Sequence, residues 1–265
     1  MAINLKDKIV FITGASSGIG KATAYQFAEL GAKLIVTARR MDRLLKLSEE
    51  LETNFNVEVL PLELDVQDKQ QVAFQIEQLP EHWNNIYLFI NNAGLAIDST
   101  KLQDGNIESW DQMIDTNIKG LLYVTHAILP AMVLRGQGHI INIGSIAGHE
   151  YYPTGNIYGA TKHAVKAITK SMQIDLLGTG LRVSEVDPGA VHTEFSEVRW
   201  KDKTKSDNFY KSFTPLTPED VADAIVYCAT RPVHANVAEL IMMPTVQASC
   251  NHIYKDGSAS KSLFD

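Results

Sequence analysis

The stretch Thr13-Gly14-Ala15-Ser16-Ser17-Gly18-Ile19-Gly20 decides how the chain is read, because it follows the apolar run 9–13 directly and opens a segment of helical period. A helix start offers backbone N–H groups with no partner inside the helix, and its dipole favours an anion, so a phosphate is the natural ligand. Glycine lets the backbone approach such a group closely. The spacing is GxxxGxG rather than the GxGxxG of the common dinucleotide fingerprint. A tight strand-to-helix turn alone can also use glycine. Three glycines interleaved with hydroxyl residues at the first crossover point instead to nucleotide binding by Gly14, Ser16, Ser17, Gly18, Ile19 and Gly20.

Working outward, short apolar runs at 9–13, 34–38, 57–62, 86–90, 139–143, 181–186 and 239–243 alternate with segments of helical period at about 18–30, 42–54, 68–78, 108–135, 155–178 and 218–230. Such alternation predicts an α/β fold: a single-domain, Rossmann-like, doubly wound parallel sheet of about seven strands with helices on both faces. Thr217-Pro218-Glu219-Asp220 has the signature of a helix start, with a capping hydroxyl, an early proline and acidic residues at the positive end. Residues 191–214 are polar and charged with interspersed aromatics, the composition of a mobile substrate loop or of a plain surface excursion. The dinucleotide-binding domain is expected over 1–253, that loop included, and 254–265 read as a flexible tail.

Composition narrows the function. With 265 residues, 45% of them hydrophobic, the chain can bury a large core, and its net charge of −7 argues against nucleic acid or an anionic membrane as partner. Small-molecule partners are expected. Cys228 and Cys250 stand far from any metal-ligand or disulfide spacing, so no metal site is expected. The start, 1–7, lacks a basic-then-apolar leader and no later segment is an unbroken apolar span, which places the protein in the cytoplasm.

About 20 residues past the phosphate loop, NAD-binding folds place an acidic residue against the ribose 2′-hydroxyl. Here the second strand ends Thr37-Ala38-Arg39-Arg40. Guanidinium groups match phosphate geometry, so Arg39 and Arg40 point to NADP(H) and its 2′-phosphate. The other reading is that they merely solvate a helix start.

Ser145 lies just past the fifth apolar run, Tyr158 follows 13 residues later, and Lys162 stands four beyond it on the same helix face. A free phenol titrates near ~10 and needs help to exchange protons at neutral pH. An ammonium at ~4 Å contributes about 4 kcal/mol at an effective dielectric of ~20, which predicts a lowered Tyr158 pKa even after some loss to desolvation. Tyr158 is then the proton-transfer residue, and Ser145 holds the same substrate oxygen by a hydrogen bond. Singly, each has a bland explanation as a chance pair or a turn residue. A serine-hydrolase reading of Ser145 fails because its context is not GxSxG. His163 reads as a helix-surface residue.

These residues, with Asp65-Val66, Asn91-Asn92-Ala93-Gly94, Asn117, Tyr158-Gly159-Ala160-Thr161-Lys162 and Pro188-Gly189, stand in an order and spacing that resembles the short-chain dehydrogenase/reductase family over essentially the whole chain. The resemblance implies a catalytic tetrad of Asn117, Ser145, Tyr158 and Lys162. It implies that Asn117 holds a water linking Lys162 to solvent, and that Lys162 bonds the nicotinamide ribose. It also implies cofactor contacts from Asp65, Val66, Asn91, Ala93 and Gly94, and from Pro188, Gly189, Val191 and Thr193. Thr37-Ala38-Arg39-Arg40, Gly138-His139-Ile140-Ile141-Asn142-Ile143-Gly144-Ser145, Thr193-Glu194-Phe195-Ser196-Glu197-Val198-Arg199 and Leu216-Thr217-Pro218-Glu219-Asp220-Val221 are further similar to the NADP-dependent 3-hydroxy acid dehydrogenases, including serine dehydrogenases. That subgroup implies serine, allo-threonine or 3-hydroxypropionate as substrate, malonic semialdehyde in reverse, and a homotetramer. The segment before Thr193 is about one residue shorter than in that subgroup.

An acid substrate needs a cation, and Arg199, in the loop after the cofactor segment, is the candidate for its carboxylate. Tyr151, Tyr152 and His149 either line the same pocket or pack against the lid. A broad carbonyl or 3-oxoacyl reductase would share the cofactor and tetrad residues, and a non-catalytic NADP(H) sensor would have no need of the tetrad.

Overall fold

The computed structural model describes residues 3–255. Seven strands, β1 (Ile9–Thr13), β2 (Lys33–Ala38), β3 (Val59–Glu63), β4 (Ile86–Asn91), β5 (Gly138–Ile143), β6 (Leu181–Pro188) and β7 (Glu239–Met242), form one sheet in the order β3-β2-β1-β4-β5-β6-β7. Every pairing is parallel. The helices are α1 (Gly18–Glu29), α2 (Met41–Phe55), α3 (Lys69–Glu77), α4 (Ile107–Ile114), α5 (Leu121–Arg135), α6 (Asn156–Asp175), α7 (Glu194–Trp200), α8 (Lys203–Tyr210) and α9 (Pro218–Thr230).

Side chains alternate across a strand, so each central strand feeds two cores. Val10 and Ile12 of β1, with Leu34, Leu88 and Ile141, pack against Phe27 of α1, Leu44 and Leu47 of α2, and Ile225 of α9. Ile9 and Phe11, with Phe89 and Ile140, meet Val72 of α3, Val124, Ile128 and Met132 of α5, and Met172 of α6. The chain reverses its direction of winding between β1 and β4, and a cleft opens beyond the carboxyl ends of the strands at that point. This is the expected doubly wound fold.

Three departures from the expected elements matter. The helix expected over 108–135 is divided: α4 ends at Ile114, a π-helical turn spans Asp115–Gly120, and α5 continues from Leu121. A local pattern of apolar spacing cannot register one extra residue in a turn. The run 107–135 is long and apolar enough to cross a membrane by length and composition, but Met113, Val124, Ile128 and Met132 face the protein core. Second, 191–214 holds two short helices rather than a loop. Thr193 caps α7, accepting from the Phe195 amide at 3.2 Å, with Glu194 and Glu197 at the positive end. Third, the expected tail begins in ordered structure, since the Tyr254 amide donates to Val246 O at 2.8 Å. Residues 256–265 of that tail lie outside the described residues.

The predicted start of α9 is a full capping box: Thr217 Oγ1 accepts from the Asp220 amide, and Asp220 accepts from the Thr217 amide.

Candidate active site

The cleft encloses about 620 Å³. One end is floored by the phosphate loop. Gly14 has φ +67°, and a Cβ there would lie 2.9 Å from Asn92 Nδ2; a Cβ on Gly20 would collide with the Gly14 carbonyl. Asn92 sews this loop to the end of β4, donating to Thr13 O at 2.9 Å and to Gly14 O at 3.3 Å. Thr13 Oγ1 accepts from the amides of Asn92 and Ala93. Ser17 is the N-cap of α1 but its side chain accepts no cap hydrogen bond, so the positive helix end keeps its capacity for an anion.

Arg39 and Arg40 stand at the rim of this end. Arg40 Nη2 donates to Ser16 Oγ and Ser17 Oγ, each at 3.0 Å, and its Nη1 lies 3.2 Å from Glu194 Oε2. Arg43, one helical turn into α2, donates to the same Glu194 carboxylate at 2.8 Å. These cations and their hydrogen bonds hold the Glu194 carboxyl below its usual range against the opposing effect of burial. Arg43 escaped the sequence reading because nothing marks a helix arginine as neighbour to a loop before the fold brings α7 over it.

Asp65, Val66, Ala93, Gly94, Pro188, Gly189, Val191 and Thr193 line the cleft, as do Ile19, Ser145, Tyr158, Lys162 and Arg199. Thr193 crosses directly over the phosphate loop: a Cβ on Gly18 would lie 3.3 Å from its methyl group. Three expected residues do not line the cleft. Gly20 supplies close packing of α1. Asn91 points its amide into the core, to Leu121 O and Thr125 Oγ1, both at 3.2 Å. Asn117 is buried on the π-helical turn, where its amide donates to Leu95 O at 2.8 Å and Thr161 Oγ1 at 3.0 Å, and its oxygen accepts from the Leu95 amide. Its side chain thus pins the segment after β4 to α6 and has no donor left for a water.

Ser145, Tyr158 and Lys162 converge from two elements. β5 ends just before Ser145, whose amide donates to Asp187 Oδ1 at 2.9 Å. One turn apart on α6, Tyr158 and Lys162 share a face, with Lys162 Nζ 5.9 Å from the centre of the Tyr158 ring. Lys162 Nζ donates to Ile143 O at 2.8 Å. Burial pushes the lysine down to about 8, opposed by the charges of Asp187 and Glu185. Burial also pushes the Tyr158 phenol well above its ordinary range, aided by Tyr152 and opposed by a hydrogen bond to Ser145 and by Arg199. The expected lowering of Tyr158 by Lys162 is not seen: burial governs the phenol and holds it in its protonated form.

Arg199, on α7, lies over the Tyr152 ring, its Nη2 donating to Tyr152 Oη at 3.2 Å, while its Nε is buried with no hydrogen-bond partner. Phe195 of the same helix meets Tyr158 edge-on at 5.6 Å. Of the other two pocket candidates, Tyr151 is exposed and stacks on His163, and His149 turns below the site. His163 itself is half-buried.

Residues 8–204 match the family model for short chain dehydrogenases. The chain belongs to the short-chain dehydrogenase family. Among this family's members, it is 44% identical over 253 residues to the NADP-dependent 3-hydroxy acid dehydrogenase of Schizosaccharomyces pombe, covering 95% of this chain and 98% of that one. It is 48% identical over 242 residues to sulfoacetaldehyde reductase 2 of Chromohalobacter salexigens, covering 91% and 95%. Among solved structures, the closed form of serine dehydrogenase complexed with NADP+ superposes with a TM-score of 0.86 at 43% identity, covering 91% of this chain and 96% of that one.

Proposed function

We propose that this protein is an NADP(H)-dependent oxidoreductase that moves a hydride between the nicotinamide and the hydroxyl-bearing carbon of a 3-hydroxy acid, with serine, allo-threonine or 3-hydroxypropionate as the substrate class. The observation that carries the reading is the pairing, in one cleft, of a buried proton donor, Tyr158, with an arginine, Arg199, whose Nε is buried and unpartnered. A carboxylate supplies the missing acceptor for Arg199, and the 3-hydroxyl, or the carbonyl formed from it, supplies the partner for Tyr158. The S. pombe relative and the solved serine dehydrogenase bear names consistent with this class.

The cofactor fits the residues present. Gly14 and Gly18 line a cradle that Gly20 closes from beneath by its tight packing on Gly14 O, and the two guanidinium groups of Arg39 and Arg40 stand at its rim. In this reading Ser16, Ser17, Gly18 and Ile19 hold the diphosphate, Arg39 and Arg40 the 2′-phosphate, and Asp65 and Val66 flank the adenine. Ala93, Gly94, Pro188, Gly189, Val191 and Thr193 enclose the remainder. Bound there, NADP(H) supplies or accepts the hydride.

The protein's own part is proton transfer and orientation. Ser145 holds the substrate oxygen, and Tyr158 donates a proton to it in reduction or removes one in oxidation. Lys162 keeps its ammonium under the Tyr158 ring, which favours the phenolate when the proton leaves. Asn117 fixes the floor beneath both by tying the segment after β4 to α6.

The name of the Chromohalobacter relative favours a second reading, a short aldehyde with a sulfonate in place of the carboxylate. Arg199 suits either anion. The catalytic domain is assigned to 1–253 with 191–214 as its substrate segment. Exposed Leu122, Val133 and Leu134 on α5 and Ile174 on α6 support a homotetramer, to be checked by sedimentation, and the protein is read as cytoplasmic.

The test is reduction of NADP+ by purified protein with L-serine, L-allo-threonine, 3-hydroxypropionate, hydroxyethanesulfonate and neutral secondary alcohols, each repeated with NAD+. Preference for a carboxylate substrate with NADP+ is expected. Activity on neutral alcohols or carbonyls alone replaces this class with a general reductase, and tight NADPH binding without turnover on any substrate returns the protein to a sensor.

A further inference from the structure

Beneath Ser145 and Lys162, β6 turns two carboxylates, Glu185 and Asp187, to the same side of the sheet, and both are fully buried. Gly144 makes the space for them, since a Cβ there would collide with Asp187 Oδ1 and Glu185 Oε1. Asp187 Oδ1 accepts from the Ser145 amide, while its Oδ2 and both oxygens of Glu185 are buried without a hydrogen-bond partner among the described residues. Two unprotonated carboxylates side by side in a buried site repel one another and forgo solvation, so such a pair keeps one proton between them.

We infer that Glu185 and Asp187 form a one-proton acid pair in which Glu185 carries the proton and Asp187 the charge, and that Asp187 is a positioning residue that keeps Lys162 an ammonium.

Everything facing the pair agrees with that division. From α6, Lys162, whose Nζ is bound to Ile143 O one residue before Gly144, is the nearby cation, and the Thr169 hydroxyl is spent on Val165 O. His149 Nε2 lies 3.1 Å from Asp187 Oδ2 and 3.3 Å from Glu239 Oε1. Lys166 Nζ is 2.7 Å from His149 Nδ1, so the ring of neutral His149 bears its proton on Nε2, toward the carboxylates. Burial and Lys166 keep His149 below its ordinary pKa. On β7, Glu239 is paired with Lys166 at 3.0 Å and Lys170 at 2.8 Å. Among the described residues, the buried cation that acts on the pair's remaining negative charge is Lys162. Burial and the neighbouring Asp187 push Glu185 up, in the direction of the protonated form.

The inference rests on Lys162 acting under Tyr158 as proposed above. Its test compares Glu185→Gln with Asp187→Asn. Gln mimics a protonated Glu and Asn retains an oxygen for the Ser145 amide while removing the charge. Expected is a Glu185→Gln enzyme within about threefold of wild type at neutral pH. Asp187→Asn should lose about tenfold or more in kcat, and the alkaline limb of its pH profile should fall by about one pH unit. Equal effects of the two variants, or an Asp187→Asn limb that does not move, overturn it. A second arm needs no Asp187 variant: infrared spectra of wild type near neutral pH should show a protonated-carboxyl stretch that Glu185→Gln lacks, and its absence from wild type also overturns the inference. If no substrate is turned over at all, the functional reading fails, while the infrared arm still decides the acid pair.

Discussion

Arg40, at the corner between β2 and α2, is bound to Glu194 of α7 at 3.2 Å while its other nitrogens hold Ser16 and Ser17 of the phosphate loop. One guanidinium therefore joins the dinucleotide end of the cleft to the helix that covers the substrate end. Replacing Arg40 by methionine removes a charge-assisted donor to the 2′-phosphate, an effect of about 1.5–3 kcal/mol. KM for NADP+ should rise about tenfold or more while KM for NAD+ changes little, measured in parallel on the same substrate. A similar rise for both cofactors would show that Arg40 serves the lid and not the phosphate.

Tyr158→Phe deletes the proton donor and keeps the ring that meets Phe195. Turnover should fall by about 10²–10⁴, the usual worth of a positioned acid or base, while NADPH fluorescence titration gives an affinity close to wild type. Retained turnover would move the proton-transfer role elsewhere in the cleft.

Arg199→Met keeps the bulk over Tyr152 but removes the cation. KM for hydroxy acids should rise at least about tenfold, and that for neutral alcohols by no more than about twofold. Parallel increases on both substrate types would assign Arg199 to the shape of the lid alone.

Glu185 also predicts how stability depends on pH. Its pKa in the folded chain, about 8, stands above the 4.5 of an ordinary glutamate. A group raised in this way contributes fully below its unfolded value, and the contribution is lost as pH rises through the folded one, because the native state holds the proton that the unfolded state releases. Glutamine cannot titrate. The melting temperature of Glu185→Gln relative to wild type should therefore climb between about pH 5 and pH 9, as read by circular dichroism. A constant difference would mean that Glu185 is ionised throughout.

The sheet was legible because each of its strands is a short apolar run beside a helix of strong period, and the phosphate loop because three glycines mark one turn. That Ser145, Tyr158 and Lys162 meet in one cleft was legible by spacing. The direction of the Tyr158 shift was not, since burial depends on Tyr152 and on α7 lying over the ring, and neither is local in sequence. Two helices in 191–214 escaped for a related reason: α7 and α8 have seven and eight residues, too few turns for a period to declare itself. Glu185 and Asp187 sit within an expected strand, yet their two-residue spacing says only that they share a face. Which face, and that Lys162 lies against it, comes from the packing of α6.

The strand order has a consequence for how the chain is made. Once β1 and β2 have paired, β3 joins outside β2, β4 takes the other side of β1, and β5, β6 and β7 then add outward one after another. No strand has to be inserted between two already joined, so each can dock as it leaves the ribosome. The nucleotide half of the cleft can thus assemble while the C-terminal third is still being synthesised. Glu185, Asp187 and Arg199 all lie in that last third, so the buried carboxylates and the arginine over the cleft arrive at the end of synthesis, on a scaffold already in place.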